Sequence, residues 1–235
     1  MSAGTSPEFV YAGTELTLFE KATNWKSYWR GQIAPYVSGD VLEVGAGIGA
    51  NTKLLAGLRH ASWTSLEPDA ALASQIKNVS PRHRTLPMTI GDLPSKDRFD
   101  TILYIDVLEH IEADRVEMKS AAARLKPGGH LIVLAPAHPF LYTPFDAAIG
   151  HFRRYTRASL RAVAPQHLTA VRIDYLDCAG MLASAANRML LKSAMPSERQ
   201  ILTWDGWLIP VSRVMDRVFG WRIGKSVIGV WRLQD

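Results

Sequence analysis

The stretch Asp40-Val-Leu-Glu-Val-Gly-Ala-Gly-Ile-Gly-Ala50 limits the fold more than any other part of the chain. Val41, Leu42 and Val44 are strand formers in a nearly unbroken apolar run, the pattern of a strand buried on both faces of a parallel sheet. The run stops at Gly45, Gly47 and Gly49. Glycines at alternate positions let the backbone turn sharply and come close to a ligand. Asn51 and Thr52 follow, and Lys53 to Leu58 reads as a helix. Strand, glycine turn and helix form a nucleotide-type site, with the helix N-terminus aimed at the ligand.

The rest of the chain extends that unit. Ser62 to Pro68 reads as a second strand with Glu67 at its end, and residues 70–78 as a helix. His83 to Ile90 reads as a third strand, closed by Gly91-Asp92-Leu93. Phe99 to Ile105 is a fourth, followed by Asp106-Val-Leu-Glu-His-Ile111. Residues 112–125 read as a helix stopped by Lys126-Pro-Gly-Gly129, and His130 to Ala135 as a fifth strand. Alternating strands and helices predict a parallel, doubly wound α/β sheet. Pro136 to Tyr155 reads as a long loop, and Thr156 as the cap of a helix to Ala164. Leu168 to Tyr175 reads as strand six, residues 178–219 as inserted helices, and Ser226 to Leu233 as the last strand.

Ahead of the first strand, Thr14 to Ala22 and Trp25 to Arg30 read as helical pieces. Leu18, Ala22, Trp25 and Trp29 form an apolar stripe, which suits either a helix on the sheet edge or a lid. In the late insertion, Trp204, Trp207, Val211, Val214, Met215 and Val218 share one side of a helix. That side suits packing on the sheet, a second subunit, or a membrane surface.

Composition excludes several classes. Cys178 is the single cysteine, so no internal disulfide framework exists, and a reducing cytoplasm is expected. No apolar run is long enough to span a bilayer, and the first residues do not read as a signal peptide. The net charge of +5 is spread along the chain and assigns no nucleic-acid role by itself. The seven histidines show no metal-ligand spacing, so no metal is expected, and no hydrolase nucleophile elbow occurs.

Read as Glu-x-Gly-x-Gly-x-Gly, Glu43 to Gly49 resembles the first motif of the class I S-adenosylmethionine-dependent methyltransferases. Glu67, Phe99-Asp100, Leu108 to Ile111 and Leu125 to Gly129 support the resemblance, which covers the chain from about residue 38 onward. Gly150 to Thr156 also resembles a bacterial small-molecule subgroup. The resemblance implies a seven-stranded, mostly parallel Rossmann-like sheet whose last strand is antiparallel. It divides a single domain, 1–235, into an N-terminal lid (1–39), a cofactor core (40–135) and an acceptor side (136–235).

It also implies residue roles. Glu67, with Pro68 beside it, would bind the ribose hydroxyls of S-adenosyl-L-methionine. Asp92 and Leu93 would meet the adenine. Gly45, Ala46, Gly47 and Gly49, with Asn51 and Thr52, would approach the methionine part. Ile105 and Asp106 would line the floor. Glu43, two before the first glycine, suits a cofactor carrying an ammonium and a sulfonium and would repel a pyrophosphate, which argues against a dinucleotide. Tyr142, Arg153, Arg154, Tyr155 and His110 are expected near the acceptor, the two arginines for an anionic group or as pins of the loop. His151 is the base candidate, because an imidazole titrates near neutrality, with Asp146 to orient it.

The expected reaction is direct methyl displacement onto a small-molecule, sugar or lipid-linked acceptor. A nucleic-acid methyltransferase is disfavoured because Asp106-Val-Leu-Glu109 lacks the amino-base motif and Cys178 lies far along the chain. A cofactor-binding protein without chemistry stays open, as do the acceptor and the oligomeric state.

Overall fold

The computed structural model describes residues 19–190 and 197–234, apart from the side chains of 187–190. The part of the expected Thr14 to Ala22 helix before Phe19, including Leu18, lies outside the described residues. The centre is a seven-stranded sheet in the order β3-β2-β1-β4-β5-β7-β6. Its strands are β1 (Asp40–Val44), β2 (Ser62–Leu66), β3 (His83–Leu86), β4 (Phe99–Ile105), β5 (Leu125–Pro136), β6 (Leu168–Leu176) and β7 (Ser226–Leu233). The first five pair in parallel, and β7 runs antiparallel between β5 and β6. The chain therefore winds from β1 through β2 to β3 and then crosses back to β4, which leaves a switch point between β1 and β4. Ligands of open α/β sheets bind at that crevice.

Both faces of the sheet are covered. One carries α1 (Thr23–Ile33), α2 (Ala50–Leu55) and the late helices, through Trp29, Ile33, Leu55, Ile201 and Ile209. The other carries α4 (Asp114–Ala122) and α6 (Arg157–Val163), through Met118, Leu160 and Val163, with α3 (Ala70–Ala73) a short turn beyond β2. Leu42, Ile102, Leu131 and Val133 fill this second face, each fully buried.

Several local expectations are corrected. The 70–78 helix is only α3, capped by Asp69. Lys126 to Gly129 does not stand outside the sheet: β5 starts at Leu125, opposite Phe99, and resumes register at His130 opposite Thr101. The extra residues bulge, and a side chain on Gly129 would meet the Lys126 and Asp100 carbonyl oxygens at 2.9 and 3.0 Å. The stretch 136–155 is not one loop, because Thr143 opens helix α5 (Pro144–Ala148) with a reciprocal cap from Asp146.

The late insertion folds as α7 (Cys178–Leu190), α8 (Glu198–Thr203), a π-helical segment Trp204–Leu208, and α9 (Ile209–Val218). Its orientation removes one of the readings of its apolar stripe. The inward side of α9 is polar: Ser212 and Asp216 are buried and hydrogen-bonded. The outward side carries Trp207, Val211, Val214 and Val218, which are 76%, 47%, 64% and 74% exposed. The stripe does not pack on the sheet. Trp204 is the exception, since it turns inward against Trp25 at 5.9 Å.

The α1 helix has no side-chain cap of its own. Asp205, far along the chain, accepts from the Asn24 and Trp25 amides at 3.0 and 2.8 Å. Tyr28 donates to Asp216 at 2.7 Å. Carboxylates from the insertion thus fix the N-terminal helix over the sheet.

Candidate active site

A cavity of about 680 Å³ opens at the carboxyl ends of β1, β2, β4 and β5. Trp25, Lys26 and Trp29 of α1 wall it, so the helix that packs on the sheet also lines the cavity. At one end lies the glycine turn. Gly45, Gly47 and Gly49 all have positive φ, between 55° and 81°. A Cβ on Gly45 would stand 2.6 Å from Val107, so the backbone itself forms the wall there. Gly45, Ala46, Gly47 and Asn51 line the cavity, with Glu67 and Pro68 opposite. The Glu67 carboxylate accepts from the Gly47 amide at 2.8 Å and the Asp69 amide at 3.0 Å. Each oxygen keeps a lone pair for a ligand hydroxyl.

Five of the expected cofactor residues stand elsewhere. Glu43 does not face the cavity: its carboxylate accepts from Thr52 at 2.6 Å, Trp63 at 2.9 Å and Ser65 at 3.2 Å behind the sheet. Burial raises its pKa against those bonds. Alternation along β1 explains this, because residues next to each other in a strand point to opposite faces. Thr52 is buried as the partner of Glu43. Asp92 is exposed and accepts from the Thr89 amide and hydroxyl at 3.0 and 2.7 Å, a turn cap. Leu93 packs in the core. Met88, Thr89 and Ile90 occupy the wall where those two residues were expected. Gly49 caps α2 and is not part of the wall.

The other end of the cavity is polar. Ile105 and Asp106 line it as expected. Asp106 has φ 55°, an uncommon backbone for a non-glycine residue and one that gathers at functional sites. Its side chain is open to the cavity, but protein walls around it raise the carboxyl to about 6, against the pull of His151, Lys26 and Lys225. His110 and His151 meet edge to face, ring centres 4.5 Å apart. Burial, then the neighbouring His151, lowers His110 to about 4.

The segment after β5 supplies the partner of His151. Asp146 on α5 accepts from the His151 ring, with 3.0 Å between Oδ1 and Nδ1. It also takes two bonds from the Arg154 guanidinium, at 2.8 and 2.9 Å. Burial pushes the Asp146 carboxyl up, but the His151 and Arg154 bonds outweigh it and hold it well below the usual range.

Arg154 and Asp146 line the cavity, whereas three other acceptor candidates do not. Arg153 pairs with Asp114 at 2.6 Å and with the Glu112 carbonyl, pinning the loop to α4. Tyr155 is buried and donates to Asp114. Tyr142 donates to the His151 carbonyl at 2.6 Å, outside the wall. An internal partner is the common cause, since each group found one within the protein. Glu109 was missed as a site residue. It is fully buried, lines the cavity, and lies 3.8 Å from His151 Nε2. Its signal was a second acid three residues after Asp106, just past the end of β4.

The sheet order, the antiparallel seventh strand and the glycine-turn cavity define a Rossmann-like cofactor-binding domain. A family profile described as a methyltransferase domain matches residues 28–177. The chain belongs to the S-adenosylmethionine-dependent methyltransferase family.

A demethylmenaquinone methyltransferase of Tropheryma whipplei (strain Twist) is 31% identical over 160 residues, 66% of this chain and 64% of that protein. The match thus spans somewhat under two thirds of that relative. A tRNA U34 carboxymethyltransferase of Pseudoalteromonas atlantica is 28% identical over 121 residues, 47% of this chain and 38% of that protein. Among solved structures, N-methyltransferase NodS from Bradyrhizobium japonicum WM9 in complex with S-adenosyl-l-homocysteine superposes with a TM-score of 0.61. It is 15% identical and covers 97% of this chain and 100% of that one. That likeness concerns the fold.

Proposed function

We propose that this protein transfers a methyl group from S-adenosylmethionine to a small or lipid-linked acceptor bound at the polar end of the cavity. The observation that carries the reading is the division of one cavity into two ends. Glu67 and the glycine turn follow β2 and β1 on one side; Asp106, Glu109, His110 and His151 follow β4 and β5 on the other. S-adenosylmethionine, when bound, supplies an electrophilic methyl on a sulfonium. The chain's own residues do the rest. Glu67 takes the ribose hydroxyls, and Gly45 and Gly47 allow close backbone approach. Trp25 and Trp29 cover the site and limit water. We propose that His151, which Asp146 holds in one orientation, promotes loss of the acceptor's proton. The enclosing α1 helix favours a small acceptor over a folded RNA, although relatives of both kinds occur.

Glu67→Ala is expected to weaken binding of S-adenosylhomocysteine by about 1–3 kcal/mol, through lost ribose bonds and a loosened glycine turn. Calorimetry reads this directly. Unchanged affinity, or a preference of the native protein for NAD, overturns the cofactor assignment.

The outward stripe of α9 supports the lipid-linked branch. Between residues 204 and 225 the acidic side chains, Asp205 and Asp216, are buried, while Arg217 and Arg222 are exposed. An apolar face with a cationic rim and a tryptophan fits an anionic membrane surface. The protein is expected to float with phosphatidylglycerol vesicles, and Val214→Asp with Val218→Asp to abolish flotation. If the native protein stays with the soluble fraction, the membrane reading falls.

A further inference from the structure

We propose that Glu109, His110 and His151 bind a divalent first-row transition-metal ion, and that this ion holds an oxygen of the acceptor. The inference rests on the methyltransferase reading and narrows it to hydroxylated acceptors. One ligand atom from each of the three side chains lies within 4.8 Å of the other two. Glu109 Oε1 and His151 Nε2 stand 3.8 Å apart, too far for a hydrogen bond. Two atoms bound to one ion at about 2.0–2.2 Å stand roughly 3–4 Å apart, so the spacing suits a shared ion.

Two independent observations point to a ligand there. The Glu109 side chain is fully buried, and neither carboxylate oxygen has a hydrogen-bond partner. It nevertheless forms part of the cavity wall. An unpartnered buried carboxylate is costly, and a cation removes that cost. Secondly, Asp146 holds His151 Nδ1 at 3.0 Å, which leaves Nε2 as the ring's free donor on the Glu109 side. A carboxylate behind an imidazole is the usual support of a metal-bound histidine, because it fixes the ring and raises its basicity. The His110 ring is held by a backbone hydrogen bond to Gly150.

The donor set chooses the ion class. Two imidazoles and one carboxylate suit manganese, iron, cobalt or zinc better than magnesium or calcium. Three protein ligands leave at least one position for the acceptor. An oxygen bound there loses its proton more easily, because the ion lowers its pKa. The proton leaves to water. The oxygen's electron pair then forms the new bond to the methyl carbon, and the carbon–sulfur bond breaks with its pair kept by sulfur. His151 thus promotes proton loss through the ion it holds. Sequence spacing predicts no such site, since Glu109 and His110 are adjacent while His151 comes 41 residues later.

The test uses the full chain dialysed against chelator. Mn²⁺ is titrated by calorimetry, and its spin-echo spectrum is searched for imidazole ¹⁴N coupling. Binding of S-adenosylhomocysteine is measured on the same samples. One saturable Mn²⁺ site with nitrogen coupling is expected. Glu109→Gln and His151→Ala should each weaken it about 10-fold or more, and both variants should still bind S-adenosylhomocysteine, which shows that they fold. No saturable site for Mn²⁺, Co²⁺ or Zn²⁺ up to millimolar concentration overturns the proposal. So does binding that is unchanged in both variants or lacks nitrogen coupling. Failure of the native chain to bind S-adenosylhomocysteine instead overturns the methyltransferase reading, whatever the metal result.

Discussion

His151→Ala is expected to cut methyl transfer by about 100-fold or more while leaving the affinity for S-adenosylhomocysteine unchanged. His151 lies in the segment after β5, whereas Glu67 and the glycine turn follow β2 and β1, so the cofactor should not sense its loss. Asp146 fixes its ring at 3.0 Å and Arg154 fixes Asp146, so the imidazole reaches the cavity already oriented. Preorganised assistance to proton loss, direct or through an ion that His151 holds, contributes about 10²–10⁴-fold in rate. Truncation also leaves Asp146 paired with Arg154 alone, a retained ion pair that should keep α5 and its loop in place. Asp146→Asn should lie between the native protein and His151→Ala, because it keeps a polar partner for the ring but loses its charge. The measurement is single-turnover methyl transfer on an acceptor found by screening hydroxylated compounds. Near-normal turnover in His151→Ala would remove the residue from the mechanism, and alignment with desolvation would have to carry the reaction.

The largest effect on stability is expected at Asp216, outside the cavity. Its carboxylate is fully buried and accepts from Tyr28 at 2.7 Å, the Asp177 amide at 2.7 Å and the Cys178 amide at 3.0 Å. Burial, then the bond to Asp216, raises the Tyr28 hydroxyl far above its ordinary range. Asp216→Ala would leave three buried donors without an acceptor, at about 1–3 kcal/mol each before water or relaxation recovers a part. A net loss of about 3–5 kcal/mol follows, a large share of a domain's usual stability of about 5–15 kcal/mol. For a chain of this size that lowers the melting temperature by roughly 6–20 °C. Because Tyr28 sits on α1, the lid should loosen as well, and S-adenosylhomocysteine affinity should drop. Urea unfolding followed by circular dichroism reads the stability. A loss under about 1 kcal/mol would mean that Asp216 is not the acceptor these donors depend on.

Much of the architecture was legible in the residues themselves. The apolar runs at Val41–Val44 and Ile102–Ile105 could only be central strands, and three alternate glycines could only mark a tight turn between strand and helix. Glu67 was legible because it ends the strand beside that turn, and the place of Gly45, Gly47, Asn51, Ile105 and Asp106 along the cavity follows from the same local geometry. Such signals are short-range: periodicity, turn chemistry and position at a strand end all act within a few residues.

Side-chain direction was not legible in the same way. Glu43 is one pleat step from Val44, which lines the cavity, and that step turns its carboxylate to Thr52, Trp63 and Ser65. Asp92 had a cap available in Thr89, three residues before it, and took that role instead of a place on the cavity wall. Arg153 and Tyr155 found Asp114 on a helix some forty residues earlier. The α9 stripe was read correctly as amphipathic, but periodicity gives a face without saying which way it turns. Buried Asp205 and Asp216 turned it outward, because their hydrogen bonds to α1 can form only when the polar side faces in. The strands and the glycine turn were thus determined by the sequence alone, through local backbone preference. The meeting of Glu109, His110, His151 and Asp146 was decided only by the tertiary structure, because α5 and the segment after it had to fold back over the end of β4 before those groups could share one cavity.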